Sequence, residues 1–425
     1  MSLSIHLWSK WGLTMTNNRP KHFSSEQFPV QNHCIQIGDM LLTRLTQRVG
    51  STPYFAYDRK LITGRIKSLR QCLPNKIKLH YAMKANPMPA VVQHIAGLVD
   101  GIDVASLGEI KVALDTVMLP SKMSFAGPGK NEHELSCAIA AGIVINIESE
   151  LELERIVALA EHLAITPKVA VRINPDFELK SSGMRMGGGP KQFGIDAERA
   201  PIVLRRIIEL GMIFEGLHIF SGSQNLKVEA IQDAHEKTLQ LAVRLARESS
   251  IPIPSLNMGG GFGIPYFPGE LPLNLAAVGE NLQHLLNRLE PELLETQFVI
   301  ELGRYIVAEA GVYVCQVLDK KGSRGQLFLV TDGGMHHHLA ASGNFGQVIR
   351  KNYPVTVGNK VGIAETEVVS VVGPLCTPLD LLADQMELPK AEVGDLIVVF
   401  QSGAYGLTAS PMSFLSHPIP CEVLV

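Results

Sequence analysis

The chain has 425 residues, 46% hydrophobic and 19% charged, with 38 glycines and 25 prolines spread along its length. That composition excludes disorder and fibres and describes a two-domain protein with a sizeable core and many turns. Its 38 Lys and Arg stand against 41 Asp and Glu, a formal charge of −3 with no block of one sign, so neither a nucleic acid nor an anionic membrane finds a basic track and a small-molecule partner is expected.

Residues 1–27 read as a flexible leader. Their apolar part carries a basic residue, no small-residue cleavage site follows, the stretch Thr16–Ser25 is polar, and Met15 offers a second possible start. Further on, no apolar run approaches the roughly 18 residues of a membrane span. The cysteines Cys34, Cys72, Cys137, Cys315, Cys376 and Cys421 lie far apart with no CxxC pair, which points to a reducing compartment, the cytoplasm, and away from a structural metal or a disulfide framework.

Within residues 28–58 the run Tyr54–Tyr57 is expected to add a strand to the C-terminal domain. Residues 59–300 alternate short apolar runs with helical patterns. The runs are Ile77–Met83, Ile102–Val104, Met123–Ala126, Ile143–Ile147, Val169–Ile173, Phe214–Phe220, Leu256–Met258 and Phe298–Ile300. Between them, segments such as Glu150–Leu163 and Val228–Arg247 repeat apolar residues at three and four. Eight strands alternating with helices predict a (β/α)8 barrel. Residues 301–425 change character: Val312–Leu318, Leu327–Val330, Glu367–Val372, Leu396–Phe400 and Glu422–Val425 read as strands of a mostly antiparallel β domain.

Barrel active sites form at the C-terminal strand ends, and here those ends are polar or glycine-rich. Lys84 closes the first strand behind Ala82 and Met83, surroundings expected to desolvate the amine, lower its pKa and suit it to a Schiff base. Gly259, Gly260 and Gly261 follow the seventh strand, where barrels commonly bind phosphate; Arg304 and Ser223 offer a cation and a hydroxyl to the same anion. The motif lacks the third glycine of GxGxxG and the Lys-Ser/Thr of a P-loop. Glu301, at the end of the eighth strand, needs a partner if buried; a protonated pyridine nitrogen or Arg304 would serve.

The motifs YAMKANP (Tyr81–Pro87), GLHIFSGSQ (Gly216–Gln224), NMGGGFG (Asn257–Gly263), ELGRY (Glu301–Tyr305), GPLCTPLD (Gly373–Asp380) and SGAYG (Ser402–Gly406) resemble, in this order, those of the fold-type III pyridoxal-phosphate decarboxylases, which include the ornithine, arginine and diaminopimelate enzymes. The resemblance runs from about residue 50 to the end. It implies an alanine racemase-like barrel with a C-terminal β domain, pyridoxal 5′-phosphate as cofactor, and a homodimer with shared active sites. By the same resemblance Lys84 carries the cofactor, Glu301 faces its pyridine nitrogen, and Ser223, Gly261, Arg304 and Tyr405 bind its phosphate. Cys376 would protonate the α-carbon from the neighbouring subunit.

Two positions depart from the family pattern. His218 keeps the first place of the usual His-x-His-x-Gly-Ser, but Phe220 takes the second, where the family stacks a histidine on the cofactor; a phenylalanine ring stacks as well. Thr377 follows Cys376 where decarboxylases of basic amino acids place an acid. With DGGMHHH at Asp332–His338, the chain is similar to a subgroup that acts on an amino acid attached to something else, glutamyl-[acyl-carrier-protein] decarboxylases among them. Arg172, Lys130, Arg304, Thr377, Tyr405 and the histidines His336, His337 and His338 are then expected to face the substrate or, for the histidines, to pack at the dimer interface; metal binding by adjacent, diverging side chains is not expected. Alternatives are a decarboxylase of free diaminopimelate, ornithine or lysine, with Asp380 or Glu148 supplying the missing acid, an amino-acid racemase or epimerase, and an inactive binding homologue.

Overall fold

A computed structural model describes residue 22, residues 27–177, 184–185 and 187–425. Apart from His22 and Gln27, the leader expected at 1–27 lies outside the described residues. Eight parallel strands close a barrel: β1 (Ile77–Ala82), β2 (Gly101–Val104), β3 (Met123–Phe125), β4 (Val144–Ile147), β5 (Lys168–Asn174), β6 (Ile213–Ile219), β7 (Ser255–Gly260) and β8 (Gln297–Leu302), with β8 paired back to β1. Each of the eight apolar runs therefore became one barrel strand, shifted by a residue or two at its ends. Leu79, Ile102, Ile145, Val171, Leu217, Leu256 and Ile300 are buried in the layer that joins strands to the surrounding helices. Side chains alternate along each strand, so His80, Asp103, Asn146, Arg172, His218, Asn257 and Glu301 take the other face, toward the barrel axis.

Register sets which of these polar groups meet. His218 pairs with Arg172 on one side and Asn257 on the other, and Glu301 pairs with His80 and Gly260. Helix starts are fixed locally: Ser106 and Ser149 cap their helices, and Asn131 with Glu134 forms a capping box.

In the second sheet the long strand β9 (Gly311–Ser323) is the organiser. It pairs antiparallel with β10 (Gln326–Thr331), with Leu396–Val399 and with Tyr54–Tyr57, which in turn pairs in parallel with Cys421–Leu424. Two strands of this sheet were not legible in the sequence, Val355–Val357 and Leu381–Pro389. The first has only three residues, and the second mixes buried and exposed positions without alternation and bends at Gln385, whose φ is 45°. Among the described residues no helix is long and apolar enough to cross a membrane.

Candidate active site

Past the end of β1 the chain turns through a short 3₁₀ segment, Met83–Ala85, that projects Lys84 into a cleft at the C-terminal mouth. Lys84 is exposed in the protomer. The enclosed setting expected from Ala82 and Met83 is absent: Met83 turns into the core, Ala82 lines the same cleft, and the turn leaves the lysine exposed. The turn itself is strapped to the second domain: the Tyr81 hydroxyl donates to Asn86 O (2.8 Å), the Asn86 amide to Gly403 O (2.9 Å), and Tyr405 N to Ala85 O (2.8 Å). Those bonds bring Tyr405 into the cleft with Lys84, Phe220, Ser223, Gly261, Glu301 and Arg304. The Lys84 ammonium lies 5.7 Å from the centre of the Phe220 ring.

Ser223 and Gly261 are held side by side because their loops zip together, Asn225 N to Gly261 O at 2.9 Å and Gly263 N to Asn225 O at 2.8 Å. Gly261 has φ +72°, and a Cβ there would collide with Gly222 O. Gly259 and Gly260, expected to offer amides to an anion, line no part of this cleft. Gly259 N already donates to Asn257 Oδ1 (2.8 Å), and a Cβ on Gly260 would collide with Glu301 O. These two glycines serve close backbone packing.

Glu301 is buried, with Oε2 3.2 Å from His218 Nε2 and accepting the Asn257 amide at 2.9 Å. Burial pushes its carboxyl up, but His218, the Lys84 charge and the Asn257 bond outweigh it and hold the group well below the usual carboxylate range. Glu301 is therefore ionised and does not pair with Arg304. Arg304 instead donates to the Tyr266 hydroxyl (3.0 Å) and lies 4.7 Å from the Tyr405 ring centre; its Nε has no partner among the described residues. An uncompensated guanidinium beside Ser223 and Gly261, a free amine, and an ionised carboxylate at the far wall fit a phosphate, an aldehyde and a protonated ring nitrogen in turn.

Other expected site residues fall elsewhere. Arg172 donates to Glu148 at 2.9 Å and stacks on Phe193, so its charge is compensated. Lys130 is buried in an ion pair with Glu152 at 2.9 Å, which removes it from any substrate. Cys376 is exposed and Thr377 half-buried on the loop before Asp380, outside the protomer's own cleft. The three histidines are fully enclosed. His338 Nδ1 accepts from Ala341 N (3.3 Å), and Nε2 meets the Ser402 hydroxyl (2.9 Å), while His337 bridges the Tyr313 hydroxyl and Pro418 O. Burial pushes His336 down to about 3, His337 to about 4 and His338 to about 3, so they carry no positive charge to a substrate. Asn257, Asn86 and Tyr266 were missed; Asn257 interrupts an otherwise apolar strand, which was a usable signal, whereas nothing local marks Tyr266.

Residues 59–308 match the family model described as pyridoxal-dependent decarboxylase, pyridoxal binding domain. The chain belongs to the pyridoxal-dependent decarboxylases. It is 38% identical to the L-glutamyl-[BtrI acyl-carrier protein] decarboxylase of Niallia circulans over 90% of each chain. It is 30% identical to the 2-[(L-alanin-3-ylcarbamoyl)methyl]-2-hydroxybutanedioate decarboxylase of Staphylococcus aureus over 86% of this chain and 92% of that one. The crystal structure of diaminopimelate decarboxylase from M. jannaschii superposes with a TM-score of 0.84 at 26% identity, covering 94% of this chain and 93% of that one. This family member is thus an amino-acid decarboxylase that uses pyridoxal phosphate, built on the alanine racemase-like barrel with its added β domain.

Proposed function

We propose that the protein decarboxylates an amino acid whose far end is conjugated or tethered to a carrier rather than free. When bound, pyridoxal phosphate supplies the electron sink that accepts the electron pair left at the α-carbon as carbon dioxide departs. In this reading Lys84 would hold the cofactor, Glu301 would keep its ring nitrogen protonated, Phe220 would pack against it, and Ser223, Gly261, Arg304 and Tyr405 would hold its phosphate. His218 positions Glu301.

The observation that carries the substrate class is the commitment of the two acids that would compensate a distal ammonium. Asp380 is buried, its Oδ1 accepting Met335 N (2.6 Å) and its Oδ2 accepting Leu375 N (2.9 Å). Glu148 accepts Gly127 N, Arg172 and Gly194 N. Beside Cys376 stands only the neutral hydroxyl of Thr377, which accepts Leu379 N at 3.3 Å. A desolvated ammonium without a carboxylate loses on the order of 1–3 kcal/mol or more. The names of the relatives from Niallia circulans and Staphylococcus aureus, both with conjugated substrates, support the same class.

We further propose a homodimer in which Cys376 reaches the partner's cleft and protonates the α-carbon. Its support is the exposure of Cys376 beside an apolar surface: Phe345, Val348, Ile349 and Leu379 are exposed, and Asn344 donates to Leu379 O, which joins the two segments. We divide the chain into a barrel at 59–300 and a β domain at 301–425 joined by 28–58, and place it in the cytoplasm, in keeping with six free cysteines. A panel assay of carbon dioxide release tests the substrate class. Conjugated or carrier-bound amino acids should be turned over well and free ornithine, lysine and diaminopimelate poorly; a free diamino acid with kcat/KM of about 10⁴ M⁻¹s⁻¹ or above refutes it.

A further inference from the structure

Bulky branched side chains usually fill the interior of a (β/α)8 barrel in layers. Below the level of Glu301 this barrel keeps the branched Val144 and Val299 on its inner face but sets the small or polar Gly101, Ser124, Asn146 and Ala170 beside them. Gly101 tolerates no side chain, since a Cβ there would collide with the His80 ring. The space left is a cavity of about 290 Å³. Its outer rim is charged, with Lys78, Lys122, Asp100 and Glu215, and its inner end is formed by His218 and Asn257, the two residues that hold Glu301. The cleft with Lys84 and Arg304 lies on the other side of Glu301.

Two buried groups along this axis lack partners among the described residues. Asp103, 8% exposed, lies 3.1 Å through Oδ1 from His80 Nδ1, while its Oδ2 is unmatched. His218, 3% exposed, has an unmatched Nδ1. Leaving such atoms dry is costly, and a polar cavity of this size holds on the order of ten waters at ~30 Å³ each.

We propose that this cavity is a water-filled shaft through which the His218–Glu301 pair exchanges protons with bulk solvent from the N-terminal mouth. Each water accepts one proton and passes one on, so a single proton crosses between bulk and His218, and only O–H and N–H bonds form and break. The charged groups facing the route are the four at the rim, the His80–Asp103 pair on the wall, the Arg172–Glu148 pair on the strands beside His218, and Lys84 beyond Glu301. A substrate seated over the opposite mouth leaves this route open. The spectroscopic part of the test rests on the reading of Glu301 as the partner of the cofactor ring.

Ala170→Leu places a side chain in the shaft without touching the cleft, and Ser124→Val is the substitute if that variant does not fold. High-resolution crystal structures of the holoenzyme and the variant show the water, and a stopped-flow pH jump that follows the cofactor absorbance shows the exchange. Ordered waters from the rim to His218 are expected in the native protein. In the variant they should be displaced and the relaxation slowed at least about tenfold, with the same final absorbance. A dry native cavity overturns the proposal, as does unchanged relaxation in a variant whose shaft is visibly filled. A cofactor found away from Glu301 in the same crystals would sink the Glu301 reading instead, and the shaft would then stand or fall by its waters alone.

Discussion

Replacing Glu301 by Gln removes one charge and almost no volume, and the variant keeps an oxygen to accept the Asn257 amide. At 3.2 Å, the separation of His218 Nε2 from Glu301 Oε2, a unit positive charge gains about 5 kcal/mol from a carboxylate at an effective dielectric of about 20. A protonated ring nitrogen hydrogen-bonded to Glu301 belongs to the same distance range. Part of that gain is offset by what the neutral amide retains, so the expected loss is nearer the 2.7–4 kcal/mol, or about 10²–10³ in kcat, typical of removing one preorganised electrostatic partner. The assay is carbon dioxide release at saturating substrate, with the cofactor's absorbance and the thermal midpoint measured alongside. Because the Glu301 carboxyl is held below its ordinary value, its ionised form persists at every pH above the usual carboxylate range and is lost only as pH falls below that range. An acid limb of wild-type activity near neutral pH must therefore belong to another group. Less than a tenfold loss in a folded, cofactor-loaded Glu301→Gln protein would refute the electrostatic role.

Lys84→Ala should abolish both the yellow absorbance of the bound cofactor and decarboxylation; borohydride reduction and peptide mapping of the native protein should find the cofactor on Lys84 and on no other lysine. Mixing equal amounts of Lys84→Ala and Cys376→Ala protomers should restore about a quarter of native activity once subunits exchange, since half of the dimers are mixed and each has one intact site of two; demonstrated exchange without recovery would exclude a shared site. His338 titrates at about 3 in the fold against 6.5 when unfolded, so it costs nothing above about pH 6.5 and, as pH falls below that, lowers stability by up to about 1.4 kcal/mol per pH unit. Thermal melts between about pH 6.5 and 5 should accordingly fall less steeply for His338→Asn than for the native chain, and equal slopes would contradict a neutral buried histidine.

The local pattern of the chain was enough for the barrel, because each strand is a short apolar run bounded by turn residues and each intervening helix carries its own stripe. It also marked the strand-end residues Lys84, Ser223, Gly261, Glu301 and Arg304, since barrels concentrate polar chemistry there and the spacing between strands is read directly from the chain. Partnership was a different matter. Whether Glu301 paired with Arg304 or with His218 and Asn257 depended on the register of β6, β7 and β8, which brings residues 44 and 83 positions apart into contact. Lys130, Arg172, Asp380 and the three histidines looked available as charges or ligands because a sequence shows a side chain's chemistry but not its neighbours. Only the packed structure showed that Glu152, Glu148 and two backbone amides already occupy the first three, and that the histidines are enclosed and out of reach of a substrate. Burial and pairing are sums over contacts distant in sequence, and those sums exist only once the barrel has closed and the second sheet has docked on its mouth.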